Sequence, residues 1–482
     1  MRRMNISTNN IKKQFRIISL TLSMLFALSN ALRAEDTLRV LSEEQFLNIV
    51  RTHHPVAKQG SLLLDLARAN LTAMRGAFDP VFFLNNDQKT FDGKNYFNYH
   101  QSGLVIPTWF GVELYAGLEN NFGDLISSEV TSVPSSYAGA SIPLLRDLVL
   151  DKRRASLQQA KLFRTQSAFE RRVVINDLLL DAYFTYWNWS RDYEVYRVIR
   201  NTVEINTDRY ELVKIAFLQG DRAAIDTTEA LAQLQSFQQL QAEAWLKFRK
   251  SSLELSNFLW LPNETPAYIS ESIVPDTGWA AMKMQQQTLN ALDEWIANTL
   301  SNHPKLQSLD LKINALEVER RLKFQSLLPR ADLKYNFLQQ GYQPWRGVNW
   351  AFMENNFKFG FNLAVPIPNR RGIGEYKAAK IKLQTVDLDR DLTRLNLENK
   401  VRYHYNEVLN LQQQIRIFED AYANYIKLLE AEQLRFGLGE TTLFVLNIRE
   451  NKALETNQKL LELKAKFYQA FASLNWASGQ LQ

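Results

Sequence analysis

Five histidines and no cysteine are all that the chain offers for metal or nucleophilic chemistry of the common kinds. His53, His54, His100, His303 and His404 show no metal-ligand spacing. The pairs His54-Pro55 and His303-Pro304 read instead as helix starts with proline at the first helical position. Gly372-Ile373-Gly374 and Gly437-Leu438-Gly439 lack the third glycine and the following context of a dinucleotide loop. No nucleophile elbow, Walker motif or paired-carboxylate site is present. Absence of cysteine removes disulfides, thiolate metal sites and a lipid-anchored N-terminus together. The expectation is a protein that is not an enzyme and carries no cofactor or metal.

The elements around those residues repeat. His54-Pro55 and Pro80 recur 249 positions later as His303-Pro304 and Pro329, whereas Phe217, Gly220, Phe248 and Leu255 recur 219 positions later as Phe436, Gly439, Phe467 and Leu474. Two copies of one unit are therefore present, the first with about 30 extra residues in the stretch that reads as strand. The expected organisation is a signal peptide over 1–34, a first repeat over 35–260 and a linker over 261–288, followed by a second repeat over 289–482. Each repeat would hold a helix, two strands and a long helical hairpin. The first 34 residues have a basic start, an apolar run from Ile17 to Leu28 and small residues at Ala31 and Ala34, either of which could precede the cleavage point. They hold six Lys and Arg and no acid, so their removal takes the formal charge from +6 to zero. That leaves no electrostatic case for a nucleic-acid partner.

Between Asp151 and Gln219 no proline or glycine interrupts the chain, and one helix of that length would run about 100 Å. Such a helix requires coiled-coil support. The spacing supplies it: Tyr196, Ile199, Val203, Asn206, Tyr210, Val213 and Phe217 alternate steps of three and four, and the pattern resumes after Gly220 from Ala223 to Phe258. This reads as an antiparallel hairpin turning at Gly220, repeated by a helix from Glu375 to Phe436, a turn at Gly437 to Gly439 and a return to about Trp476. Ser42-Glu43-Glu44-Gln45 is a capping-box pattern that opens a helix reaching Gly76.

From Phe78 to Ile142 and from Pro329 to Ile367 the period changes to two. Val112, Leu114, Ala116 and Leu118 alternate with Glu113, Tyr115 and Glu119, and Phe357, Phe359, Phe361, Leu363 and Val365 alternate with Lys358, Gly360, Asn362 and Ala364. Strands of about ten residues, apolar on one face and polar on the other, are what a membrane β-barrel presents to lipid and lumen; a soluble hairpin packed on a helix is the alternative. Two strands per copy give four per chain. Four cannot close, and open edges find no water in a membrane. Copies must therefore join, two giving eight strands and a filled interior, three giving twelve and a lumen above a ring of twelve helix columns.

These residues resemble the TolC-type outer-membrane efflux proteins of Gram-negative bacteria over essentially the whole mature chain. The most specific part is the tip motif Phe217, Gly220, Ala223, Asp226 and Ala230; the second copy keeps Phe436, Gly439 and Thr442 but has Val445 and Arg449 where aspartate and alanine are usual. Pro143 and Pro366, followed by Arg153-Arg154 and Arg370-Arg371, resemble the family's strand-to-helix junction. The resemblance implies a homotrimeric channel in the outer membrane that extends into the periplasm. It would be docked by its tips to a periplasmic adaptor protein and an inner-membrane transporter that supplies the energy. It also implies that Leu218, Gly220, Leu438 and Gly439 meet the adaptor. An inward Asp226, repeated threefold, would form an acidic, cation-preferring gate with Glu229, while Val445 and Ile448 stand at the matching positions of the second copy.

The outward residues Val112, Leu114, Leu118, Phe357, Phe359 and Phe361 would contact outer-membrane lipid. Tyr183, Phe184, Tyr186, Trp187 and Trp189 have the spacing of interhelix packing, and Tyr342, Trp345, Trp350 and Phe352 fit an exposed loop or an aromatic girdle. A periplasmic coiled-coil scaffold without transport activity is the competing class.

Overall fold

Ser42 and Gln45 exchange hydrogen bonds across the first helical turn, Gln45 N donating to Ser42 Oγ and Ser42 N to Gln45 Oε1, both at 3.3 Å. In the computed structural model, which describes residues 39–282, 289–342 and 356–481, this box opens α1 (Glu43–His53). The expected continuous helix to Gly76 is split: His54 is extended, and α2 (Pro55–Arg75) starts at the proline. The signal stretch 1–34, the end of the linker and Trp345, Trp350 and Phe352 lie outside the described residues.

After β1 (Arg39–Leu41) and the two helices come β2 (Val81–Phe91), β3 (Lys94–Pro107), β4 (Glu113–Phe122) and β5 (Ser135–Pro143). The hairpin α3 (Lys152–Leu218) and α4 (Ala224–Ser256) follows. Next are β6 (Ile273–Pro275), α5 (Gly278–Ala281), α6 (Leu292–Asn302), α7 (Pro304–Gln325), β7 (Arg330–Gln340) and β8 (Phe357–Ala364). The second hairpin, α8 (Arg370–Gly437) and α9 (Leu443–Ala477), closes the chain. The first repeat thus contributes four strands to the main sheet, not two. Sheet order is β2-β3-β4-β5-β7-β8, antiparallel throughout. Among the described residues the main sheet has six strands rather than the expected four, because the roughly 30 residues that break the repeat fold as the added pair β3–β4.

Two compact units form, one from the described residues within 1–50, 182–285 and 411–469, the other from those within 51–181, 286–410 and 470–482. In the first, the heptad seam packs into apolar clusters: Ile199, Phe237, Ala244 and Leu454 form one, and Val213, Ala230, Leu443 and Leu446 another. Tyr186, Trp187 and Trp189 are buried there too, Trp187 stacked on Tyr468 at 4.0 Å and Trp189 Nε1 donating to Ser252 Oγ at 3.0 Å. Three of the five aromatics in the run therefore pack, whereas Phe184 is exposed. In the second unit, Ile296, Val401, Leu474 and Ala477 make one cluster, and Leu309, Leu316, Leu383 and Val386 another.

The duplication extends to a helix cap. His54 Nδ1 accepts from Val56 N at 3.2 Å, and His303 Nδ1 accepts from Lys305 N at 3.1 Å, each with proline next in the chain. Burial, reinforced by the cations Lys305, Lys400 and Arg172, holds the His303 pKa down at about 4. The folded ring therefore binds its proton less readily than the unfolded one, so this contribution to stability is complete above about pH 6.5 and is withdrawn as the pH falls toward 4. His303→Ala should cost about 1–2 kcal/mol in denaturant titrations of the detergent-solubilised protein at pH 7. His303→Asn, which keeps a capping acceptor that does not titrate, should retain most of the stability and flatten its decline between pH 6.5 and 4.

Candidate functional site

Both long hairpins turn by the same backbone device. Gly220 N donates to Phe217 O at 3.0 Å and Asp221 N to Ala216 O at 3.0 Å; Gly439 N donates to Phe436 O at 3.1 Å and Glu440 N to Arg435 O at 2.9 Å. These are paired Schellman turns, with the glycines at φ +84° and +77°. A Cβ at either site would meet nothing within 4 Å, so backbone conformation alone demands glycine. Leu218 and Leu438 beside them are exposed.

Arg222 joins the two turns: it donates to Phe436 O at 3.1 Å, lies 4.3 Å from the centre of the Phe436 ring and stands 3.9 Å from the Asp226 carboxylate. Glu229 accepts from Asn447 at 3.3 Å. Val445 is half-buried and Ile448 exposed. The four residues expected at a gate therefore sit within the first turns of α4 and α9, where Asp226 has a cation beside it.

One grouping was not foreseen from the sequence. Arg209 on α3 reaches Glu450 on α9 in a two-pronged contact of 2.7 and 3.1 Å, and Asn206 donates to the same carboxylate at 3.1 Å, all three largely buried. The only hint in the chain is Asn206 itself, the polar member of an apolar seam.

The sheet separates two chemistries. Residues directly opposite in neighbouring antiparallel strands point the same way, so the register places Phe82 and Leu84, Leu104 and Ile106, Leu114 and Leu118, Leu333, and Phe357, Phe359 and Phe361 on one face. Leu118 and Leu333 are half-buried and the rest are exposed, Leu84 at 70% and Phe361 at 55%. Val112 precedes the first paired residue of β4. The opposite face carries Asn85, Asp87, Gln101, Glu119, Lys334, Asn336 and Lys358, with Phe83, Val105 and Leu338 among them, and borders a cavity of about 830 Å³ that Phe357 and Phe359 on the edge strand β8 also touch. The β4–β5 connection enters that cavity with Glu129, Val130 and Thr131, held by Asn121 Nδ2 donating to Thr131 O at 3.1 Å. On the same face the Tyr137 ring crosses Gly117 and Gly103, where an added Cβ would lie 2.5 and 2.9 Å from its hydroxyl. No cluster of three or more His, Cys, Asp or Glu that could hold a metal occurs among the described residues. No helix among them is long and apolar enough to cross a membrane.

Residues 295–480 match the model of a family described as outer membrane efflux protein. No curated protein sequence matches the chain significantly. Among solved structures, the Campylobacter jejuni CmeC outer membrane channel is similar with a TM-score of 0.64 at 14% identity, over 91% of this chain and 85% of that one. For the open-state Neisseria gonorrhoeae MtrE outer membrane channel the values are 0.63 and 14%, over 91% and 89%. The outer membrane protein VceC of Vibrio cholerae gives 0.60 and 12%, over 90% and 95%. At such identities the likeness establishes the fold alone, mainly helical with a six-stranded main sheet.

Breaking the Arg209–Glu450 pair from one side leaves a charge without its partner, so Glu450→Gln should destabilise the protein by about 3 kcal/mol in denaturant titration. Replacing both residues by methionine should recover most of that loss, because no buried charge then remains.

Proposed function

We propose that this chain, which over residues 295–480 matches the model of the outer membrane efflux protein family, is the subunit of a homotrimeric channel in the cell outer membrane. The observation that carries the reading is the main sheet: one face largely apolar and exposed, the other mostly polar around a cavity, and two edges, β2 and β8, that no further strand of the described residues covers. In a membrane neither edge can be left to water. An even number of antiparallel strands makes β2 and β8 run in opposite directions, so β8 of one copy pairs with β2 of the next and a ring closes by repetition.

Three copies of a six-stranded sheet supply eighteen strands, in place of the twelve expected from four per chain; two copies would supply twelve. Either number encloses a lumen. The trimer is therefore supported by the family resemblance rather than by strand counting.

The duct is passive. Its tips, Leu218, Gly220, Leu438 and Gly439, meet a periplasmic adaptor protein, and an inner-membrane transporter delivers the cargo. Asp226 and Glu229 form the acidic part of the gate, tempered by Arg222, with Val445 and Ile448 contributing no charge.

Native mass measurement of the detergent-extracted protein should give three copies, and planar bilayers should show cation-preferring conductance. Recovery in the soluble periplasm as a non-conducting monomer would overturn the channel and support the scaffold. Asp226→Ala should lower the cation preference; unchanged conductance and selectivity would remove Asp226 from the gate while leaving the channel intact.

A further inference from the structure

At the helix-proximal end of the sheet a group of large apolar side chains is left outside any core. Trp109 is 79% exposed in the turn between β3 and β4, with Phe110 beside it, and Val149 is 75% exposed between β5 and α3, with Leu145 and Leu148. One guanidinium joins the two segments. Arg154 donates to Phe110 O at 3.5 Å, to Asp147 O at 2.5 Å and to Leu148 O at 3.1 Å, while its Nε is held by the Asp151 carboxylate at 3.2 Å. Gly111, at φ +93°, lets the turn close on it, since a Cβ there would lie 2.7 Å from Arg154 Nη2. The second segment is tied to the sheet by Leu144 N donating to Ala331 O at 2.7 Å and Arg146 N to Pro329 O at 3.2 Å. The result is a braced ledge presenting two aromatic and three aliphatic side chains.

Three observations say what covers it. A charged cavity at this end, bordered by Glu113, Ser141 and Asp332 of the polar face, takes in Gly111 and Arg146 but none of the five apolar side chains, so the ledge does not line the polar side. On the other face the last rows before the turn are Ile106 and Leu114, both exposed, so the ledge continues the apolar surface. Finally, the turn lies between the second and third strands of six and the other segment leaves the fourth, whereas strands of further copies can join only at β2 and β8.

We propose that this ledge sits in the headgroup–acyl boundary of the periplasmic-side phospholipid leaflet, a membrane contact additional to the strands; the proposal rests on the reading of the sheet as lipid-embedded. Tryptophan and phenylalanine with branched aliphatics are the side chains that settle at that depth.

Because the chain has no cysteine, single sites can be labelled cleanly. Full-length Trp109→Cys and Val149→Cys, carrying an environment-sensitive nitrobenzoxadiazole dye, would be reconstituted into phosphatidylethanolamine–phosphatidylglycerol vesicles containing nitroxide lipids. Phe361→Cys reports on the sheet and Leu218→Cys on the tip. The expected result is blue-shifted emission at 109 and 149, quenched more by headgroup-proximal than by deep nitroxides, with position 361 also quenched by lipid and position 218 water-like. Water-like emission at 109 and 149 with lipid-quenched 361 overturns the ledge while sparing the channel. Blue-shifted emission at 109 and 149 that no lipid nitroxide quenches assigns the cover to protein and also overturns it. Water-like emission at 361 as well removes the sheet reading and the ledge with it.

Discussion

Hydrogen-bonding groups of the backbone at β2 and β8 constrain everything else in the molecule. A six-stranded antiparallel sheet satisfies its interior strands but ends in two rows of donors and acceptors. Were the sheet polar on both faces, water could serve those rows. Here one face carries Phe82, Leu84, Phe359 and Phe361, so the surroundings that suit the side chains are those in which edge groups find no solvent. Under the channel reading proposed above, a strand from a second copy of the chain would reconcile the two demands, because β2 and β8 run in opposite directions.

The helical part solves a different problem with the same economy of design. Helices of 67 and 68 residues are too long to be stabilised by propensity and depend on apolar seams along their length. Aliphatic and aromatic seams slide easily, because one turn's contacts resemble the next. Asn206, Arg209 and Glu450 fix α3 against α9 at one level, since a shift by a turn would strand a buried carboxylate. At the tips the paired glycine turns set where each helix reverses, and Arg222 bridges one turn to the carbonyl of the other.

Much of this was legible from periodicity. The run without proline or glycine and the three-and-four spacing gave α3 and α4 nearly to their ends, and the repeat carried both over to α8 and α9, although α8 starts at Arg370 rather than at Glu375. Gly220 and Gly439 were legible because a positive φ leaves few alternatives. Alternation in β4 and β8 indicated the apolar face. The strand count was misread. β3 places Tyr96, Phe97 and Tyr99 on both sides and β5 is built from small residues, so neither alternates strongly, although the extra 30 residues had pointed to the right stretch. The Arg209–Glu450 contact and the Arg154 brace were illegible for another reason: they join distant residues or depend on backbone carbonyls, which no side-chain pattern marks.

The Tyr137 ring lying over Gly117 and Gly103 has a geometric consequence. Gly139, also on the polar face, has the Tyr335 carbonyl 2.1 Å from where a Cβ would stand, so side chains are missing from that face on three successive strands, β3, β4 and β5. The flat phenol occupies the hollow that the two missing side chains leave, so any larger residue at Gly103 or Gly117 would have to displace the ring, and at Gly139 the neighbouring backbone itself. Tyr137 and the three glycines therefore form one unit that can change only together.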